Sequence, residues 1–197
     1  EPGWSRVGMA YRLGGIGRAS ERVELLRRLT RDRPEDFLAH VHLYLALRAV
    51  EPKPREEVRR HLTTALALRP DSDTVRLFLA MELSEAGHRD EAIQVTRAGA
   101  QRRPGSGALA WALGQILWLD GQDREALESF HRATALEGAS AHAWHAIGLH
   151  YSVRARDQAR AIEAFQEALR KDPRLASARV SLALSLEMHG QATEAQA

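Results

Sequence analysis

Three histidines that lie close together in the sequence are the first candidates for chemistry. His142 and His145 are three residues apart, so an α-helix would place both imidazoles on one face, and His150 follows shortly after. Two imidazoles on one face could ligate a transition metal. However, His150 would point roughly 80° away from His142 around a helix, and no carboxylate stands at ligand spacing. We therefore predict no metal or other cofactor here, and interpret His142 and His145 as side chains that bond a peptide or water.

A group of carboxylates around residue 123 is the second candidate. Paired carboxylates can act as general acid and general base, and this group consists of Asp120, Asp123, Glu125 and Glu128. They surround the beginning of a predicted helix, where acidic side chains ordinarily cap the helix or interact with its dipole. The sequence also lacks cysteine, a phosphate-binding loop, a G-x-S-x-G nucleophile motif and a dinucleotide fingerprint. These observations predict a protein that is not an enzyme.

The elements that would hold these side chains recur with a fixed period. Alanine- and leucine-rich stretches end at a proline or glycine every 34 to 36 residues, at Pro34, Pro70, Pro104, Gly138 and Pro173. A second series of glycines falls between them, at Gly17, Gly87, Gly121 and Gly190. The pattern predicts helix, glycine turn, helix and proline turn once per repeat, and about 11 or 12 helices in all.

Two of the repeats carry a specific motif. One contains Trp111-x-Leu113-Gly114-x-x-Leu117, followed by Gly121, Ala126, Phe130 and Ala133. The next contains Trp144-x-x-Ile147-Gly148-x-x-Tyr151, followed by Ala161, Phe165, Ala168 and Pro173, with one extra residue in its inner turn. This pattern closely resembles the tetratricopeptide repeat. The resemblance covers nearly the whole chain and implies an all-α, right-handed superhelical solenoid of about five and a half stacked helix-turn-helix repeats.

The repeats divide the chain into a single predicted array. Their approximate bounds are 3–36, 37–72, 73–106, 107–140, 141–175 and an incomplete 176–197. The repeat 37–72 matches least well, and its register is ambiguous by two residues. Because the chain lacks an initial methionine and its last repeat is incomplete, we expect it to be a fragment of a longer protein.

A second stripe on each first helix is the expected ligand surface. In the repeat 107–140 the core stripe is Ala110, Leu113, Gly114 and Leu117, and the second stripe is Trp111, Gln115 and Trp118. In the family that the repeats resemble, this second stripe lines a concave groove. The resemblance therefore implies a partner-binding groove of Trp4, Tyr11, Leu77, Met81, Trp111, Gln115, Trp118, His142, His145, Leu149, Val180 and Leu184. Val7, Val41, His42, Leu45 and Met188 extend the same stripe.

The composition of this stripe predicts the kind of partner. Most of its members are apolar or aromatic, so the resemblance implies a non-catalytic scaffold that binds a partner peptide or amphipathic helix. Chaperone-binding members of the family hold a terminal carboxylate with lysine, arginine and asparagine on this face, whereas the stripe contains no lysine or asparagine. We expect Trp111 and Trp118 to form an apolar patch that the fold leaves uncovered and that contributes little to the core.

Two alternatives remain open at this stage. Residues 1–60 carry 13 basic and 9 acidic side chains, with arginines clustered at 27–33 and 55–60, so the N-terminal half could bind RNA or another acidic partner. Interleaved aromatic residues for base stacking are missing there, which makes nucleic acid the less favoured partner. The array could instead regulate an enzyme outside this fragment. No apolar run approaches the ~18 residues of a membrane span. Self-association stays possible, and a cytoplasmic location is the default.

Overall fold

The computed structural model describes residues 19–136 and 140–194, with side chains described up to residue 190. Within these ranges the chain is helical and contains no β-strand. The helices are α1 (Ala19–Asp32), α2 (Phe37–Leu47), α3 (Arg55–Leu68), α4 (Asp73–Glu85), α5 (Arg89–Arg102), α6 (Gly107–Leu119), α7 (Asp123–Thr134), α8 (Ser140–Leu149), α9 (Gln158–Lys171) and α10 (Ala176–Glu194). A π-helical segment, His150–Ala155, continues α8. None of these helices is both long and apolar enough to cross a membrane.

The chain divides into two compact bodies at Val95 and Thr96. In the N-terminal body, α1 packs on α2, α2 on α3 and α3 on α4. In the C-terminal body, α6 packs on α7, α7 on α8, α8 on α9 and α9 on α10, and the alternate helices α6, α8 and α10 also touch in sequence order. Each body therefore consists of helical hairpins stacked along the chain, as the repeats predict. The prediction of a single array over 1–197 stays a prediction.

The helix ends follow from residues that recur with the repeat. Asp36, Ser72 and Ser106 accept a hydrogen bond from a backbone N–H in the first turn of α2, α4 and α6, which satisfies a donor with no partner inside the helix. Gly87 and Gly121 end α4 and α6 with φ of +86° and +82°. The next N–H in each case bonds a carbonyl five residues back, and this positive φ explains why the inner turn needs glycine.

Side chains on the first helices hold the turns between repeats. Arg76 Nη2 donates to the carbonyl of Pro70 at 2.6 Å, and Arg179 Nη2 donates to that of Pro173 at 2.7 Å. Each arginine stands six residues after its proline, at the position that Trp144 occupies in the repeat 141–175. Arginine therefore stands in place of the aromatic residue at these two positions, and it holds the turn by a hydrogen bond to the proline carbonyl.

The two best repeats close around a glycine and a phenylalanine. A Cβ atom built on Gly114 would lie 2.5 Å from Phe130 Cδ1, and one built on Gly148 would lie 2.5 Å from Phe165 Cδ1. Both phenylalanines are almost completely buried. Gly114 and Gly148 therefore allow the two helices of a repeat to approach closely, and the contacting group is the phenylalanine ring.

The predicted turn at Gly190 is wrong. Helix α10 continues through Gly190 to Glu194, so the described part of 176–197 forms one helix and not the beginning of a pair. Glycine permits a turn but does not impose one, and in a helix interior it costs only about 0.5–1 kcal/mol relative to alanine. Ala183 on this helix is exposed. Gly17 and Gly138, which were also predicted as turns, lie outside the described residues.

Candidate partner-binding surface

The two stripe tryptophans of α6 stand at opposite ends of a partly exposed surface in the C-terminal body. Both indoles are half-buried, as is Gln115 between them. Trp111 meets the imidazole of His142 edge to face, with ring centroids 5.9 Å apart. The guanidinium of Arg154 lies 5.9 Å from the centroid of the Trp118 ring, close enough for a cation–π contact. The stripe of α6 is therefore continuous with α8 at one end and with the π-helical segment at the other.

The next contact along the stripe joins α8 to α10. His145 Nε2 lies 3.1 Å from Ser181 Oγ, and its ring centroid lies 5.5 Å from that of Phe165. Burial, and the nearby His142, lower the pKa of His145, so this imidazole is neutral at pH 7. On the same side of α8, Leu149 is half-buried and His142 is exposed. His142 and His145 thus act here as ring and hydrogen-bonding contacts between helices.

The last described helix presents the most exposed part of the predicted stripe. Val180 is 60% exposed and Leu184 is 55% exposed, and Met188 is 52% exposed. Large apolar side chains usually lose more of their surface than this on folding. In the C-terminal body the predicted residues of α6 and α8 are therefore half-buried, apart from the exposed His142, and those of α10 are openly exposed.

The N-terminal body contains the other described members of the predicted groove. Leu77 and Met81 of α4 are half-buried, and Leu45 of α2 is 42% exposed. Val41 and His42 of α2 are half-buried, and burial lowers the pKa of His42. Trp4, Val7 and Tyr11, the members from the repeat 3–36, lie outside the described residues.

The expectation that Trp111 contributes little to the core needs a correction. Its ring packs against a buried cluster of Ala110, Ala133 and Ala143, together with Leu136. The three alanines come from α6, α7 and α8, so the indole packs where these helices meet. Trp111 is therefore part of the core as well as of the stripe, whereas Trp118 is the better probe of the surface.

A buried pair of histidines lies in the N-terminal body, and the sequence did not reveal it. His40 Nδ1 on α2 and His61 Nδ1 on α3 are 2.8 Å apart, and both residues are buried. His40 Nε2 lies 3.0 Å from the carbonyl oxygen of Pro34, which can only accept a hydrogen bond. His40 thus carries its proton on Nε2 when neutral, and its bare Nδ1 accepts from the Nδ1–H of His61.

An ion pair borders this histidine pair. Arg27 of α1 donates from Nε and Nη2 to the two carboxylate oxygens of Glu57, at 2.7 Å each. Glu57 Oε1 lies 4.0 Å from His61 Nε2. The Arg27 guanidinium holds the pKa of Glu57 below its usual range. The pKa of His61 falls to about 4, because burial and the neighbouring His40 both disfavour its charged form.

Comparison with known proteins identifies the architecture. No protein-family model matches the chain. Human tetratricopeptide repeat protein 7A is 31% identical over 103 residues, which make up 52% of this chain and 12% of that protein. The chain thus spans a small part of the length of this curated relative. Many solved structures resemble the chain over most of its length, among them the following three.

The first of these is MamA 41-end from Desulfovibrio magneticus RS-1, with a TM-score of 0.68, 19% identity, and coverage of 84% of this chain and 92% of that one. TTC0263 of Thermus thermophilus, described as a thermophilic TPR protein, gives a TM-score of 0.65 and 19% identity, covering 92% of this chain and 97% of that one. YrrB, described as a TPR protein, gives a TM-score of 0.65 and 15% identity, covering 89% of each chain. The chain has the tetratricopeptide-repeat fold.

The carboxylates considered for acid–base chemistry have ordinary partners in this tetratricopeptide-repeat fold. Glu125 accepts a hydrogen bond from Arg97 at 2.8 Å, and Asp120 accepts one from the Gln122 amide at 2.8 Å. Glu128 pairs with Arg124 on α7, and Asp123 lies 3.5 Å from Arg154 Nε. They form separate surface contacts and do not converge on one cavity. Among the described residues, no three histidine or acidic side chains form a group that could hold a metal ion.

The arginine cluster of the first tetratricopeptide repeats is partly neutralised by its own neighbours. Arg27 pairs with Glu57 and also with Glu24, and Arg59 lies 3.4 Å from Glu91 on α5. Because these guanidinium groups already have carboxylate partners, the surface offers fewer free charges for phosphate than the sequence count suggested.

One surface of these tetratricopeptide repeats was missed by sequence reasoning. The extra residue counted between Ser152 and Gln158 widens the end of α8 into the π-helix, which ends at Arg156 with a φ of +53°. π-helical insertions are frequent at functional sites. On the side of α8 away from the stripe, this segment borders a cleft with α7 and α9. The extra residue was the one sequence signal that pointed to this place.

Proposed function

We propose that this chain is a non-catalytic interaction scaffold that binds a partner peptide or amphipathic helix along the second stripe of its first helices. Its tetratricopeptide-repeat fold supports the general role of a protein–protein interaction scaffold. The observation that carries the specific proposal is the continuity of the stripe across α6, α8 and α10. Trp111 contacts His142, and His145 contacts Ser181, so the first helices of three successive repeats present one partly exposed surface.

The two indole N–H groups add support. Nε1 of Trp111 and Nε1 of Trp118 are both buried, and neither has a hydrogen-bond acceptor within the described residues. An indole N–H that is buried without an acceptor lowers stability by about 1–3 kcal/mol. A partner that draws either ring outward and offers it a backbone carbonyl would relieve this cost. Tryptophan is enriched among the residues that dominate binding energy at protein interfaces.

The related proteins favour a peptide as the partner. YrrB is described as having an unusual peptide-binding site, and it shares the fold over 89% of each chain. For this chain we infer a peptide whose apolar side chains contact Trp118, Leu149 and Leu184 in turn. The exposed apolar residues of α10 extend the surface beyond the tryptophans.

We expect Trp118→Ala to weaken peptide binding by about 30-fold, or about 2 kcal/mol, as hot-spot truncations do. The ligand would be the tightest binder selected from a library of random 16-residue peptides on the intact chain, and its Kd would be measured by isothermal titration calorimetry. Trp118 is the right position because Trp111 also packs on the core cluster. Removal of Trp111 would therefore change folding stability as well as binding.

Leu119→Ala is the matched control for this experiment. Leu119 follows Trp118 on α6 and is 58% exposed, but it lies outside the stripe. Its truncation should change the Kd by less than about three-fold, since surface contacts outside a hot spot are nearly neutral. Equal binding by the wild type and Trp118→Ala, with both proteins folded by circular dichroism, would contradict the proposed surface.

Salt dependence separates this proposal from binding of a nucleic acid. Between about 50 and 200 mM salt we expect the selected peptide to lose less than about two-fold in affinity, because burial of apolar surface is little affected by ionic screening. A protein that neutralises six to ten phosphates would lose about 10³–10⁵ in affinity over the same range. Single-stranded RNA binding with such a steep slope, unaffected by Trp118→Ala, would favour the arginine surface instead.

A further inference from the structure

A cleft of about 500 Å³ lies in the C-terminal body between α7, α8 and α9. Trp144 and Ile147 line it from α8, roughly 160° and 140° around the helix from His142. The cleft is therefore separate from the proposed peptide-binding stripe. Its volume is in the range of sites that bind small molecules or single side chains of a partner, about 300–1,000 Å³.

Aromatic rings form one wall of the cleft. Trp144 is half-buried, and the His131 imidazole meets it edge to face, with centroids 6.4 Å apart and planes at 89°. Tyr151, in the π-helical segment, forms the adjacent wall. The guanidinium of Arg160 already lies 5.6 Å from the centroid of the Tyr151 ring. The cleft thus has the geometry for a planar cation over an aromatic ring, and among the described residues no guanidinium or ammonium group lies over the Trp144 ring.

The opposite wall carries a carboxylate without a partner. Glu163 and Glu167 of α9 both line the cleft. Glu167 forms an ion pair with Arg170, and Arg160 Nε lies 3.4 Å from Asp157 Oδ2. Glu163 is exposed, and in the ranges 19–136 and 140–190 no hydrogen-bond or ion-pair partner for it is found. The other charged side chains of the cleft are therefore neutralised by partners, and the carboxylate of Glu163 is left as one negative charge that faces the cleft.

We propose that this cleft binds an arginine side chain of a partner protein. Its guanidinium would lie over the Trp144 ring while its N–H groups donate to the Glu163 carboxylate. Arginine fits better than lysine, because its planar group can stack on an indole and hydrogen-bond a carboxylate at the same time. This second site does not depend on the stripe, so the two can fail independently.

The test follows the indole N–H signal of Trp144 in the ¹⁵N-labelled intact chain, assigned by its loss in Trp144→Phe. The probe is acetyl-Gly-Arg-Gly-amide, with acetyl-Gly-Gln-Gly-amide as the uncharged comparison. We expect a saturable shift with the arginine peptide in the millimolar range and none with the glutamine peptide. Glu163→Gln should weaken this binding by about five-fold, the size expected for a partly exposed charge contact.

Glu187→Gln is the matched control, because Glu187 is an exposed glutamate on α10 that does not line the cleft. It removes the same charge from the same body and should leave the binding unchanged. Equal weakening by Glu163→Gln and Glu187→Gln would overturn the proposal, and so would equal binding of the two peptides. A shift of the Trp144 signal on raising the protein concentration alone would assign the cleft to a second copy of this chain and would also overturn it.

Discussion

Replacing Gly148 by alanine is expected to destabilise the C-terminal body by about 2 kcal/mol and to lower its melting temperature by about 8–16 °C. A Cβ atom at this position would lie 2.5 Å from Phe165 Cδ1 and 2.9 Å from Phe165 Cζ. Atoms do not approach this closely, so either the ring or helix α8 must move. Alanine also favours the helix by about 0.5–1 kcal/mol over glycine. The clash outweighs this gain because Phe165 is 1% exposed and has no free space to enter.

Gly190→Ala provides the matched control, since Gly190 is also helical but a Cβ atom there would meet nothing within 4 Å. It should raise stability by up to about 1 kcal/mol through helix propensity alone. Thermal unfolding followed by circular dichroism measures both variants. A second check is the double variant Gly148→Ala with Phe165→Leu, in which the smaller side chain should offset part of the loss. Gly148→Ala as stable as the wild type would show that the helices of this repeat do not meet at the ring.

Lowering the pH from 7 to 5 is expected to cost the N-terminal body about 2 kcal/mol of stability through His61. The folded-state pKa of His61 is about 4, below its usual 6.5, because burial and the nearby His40 oppose its charge. Between pH 4 and pH 6.5, which are the folded-state and usual pKa values of about 4 and 6.5, the unfolded chain binds more protons than the folded one. Stability is therefore complete above about pH 6.5 and falls by about 1.4 kcal/mol per unit as the pH drops toward 4.

The groups around His61 support the same sign. The Arg27 guanidinium and Arg60 also disfavour a second positive charge, while Glu57 favours it and is itself engaged by Arg27. Protonation of His61 adds an N–H at Nε2 and leaves its Nδ1–H donating to His40, so the charged ring is opposed by its burial and by the positive charges around it. Glu57, whose pKa is lowered, adds a further loss of stability below its usual range.

His61→Asn isolates this effect, because the Asn side-chain N–H can replace the donor at Nδ1 but cannot take up a proton. Urea unfolding at pH 7.5 and 5.0, with hydrogen exchange of the α2 and α3 amides to localise the change, gives the measurement. The variant should be less stable overall, yet its loss between the two pH values should be smaller by about 2 kcal/mol. His42 and His145 titrate in the same direction in both proteins and cancel in the comparison. Equal pH dependence in the two proteins would exclude a neutral buried pair.

The architecture could be predicted from the sequence because the signals that define it are local and repeated. An N-terminal cap such as Ser72 or Ser106 acts within one turn, and the glycine turns at Gly87 and Gly121 satisfy the carbonyls of the preceding few residues. Each such signal is weak, but its recurrence every 34 residues makes the repeat unmistakable. The close approach at Gly148 could also be predicted, because a small residue that faces a second helix lets the two helix axes come closer together.

The candidate sites could be predicted from the sequence less fully than the architecture, because they depend on tertiary structure. Periodicity assigns Trp111 to a face of α6, but it cannot show that the indole packs against buried alanines from three helices. It also cannot show that Gly190 stays helical, because glycine permits a turn without imposing one. The remaining turn predictions at Gly87, Pro104, Gly121 and Pro173 agree with the structure.

The helices, their order and the stripe on each first helix could thus be read from the amino-acid sequence, because they follow from contacts between residues a few positions apart. Which side chains meet across helices depended on the packing of the folded chain. His40 and His61 are 21 residues apart, and the walls of the cleft come from three helices separated by turns. The hydrogen bond between the two imidazoles and the lowered pKa of His61 arise from packing that brings distant residues within a few ångströms, and no pattern along the chain encodes those distances.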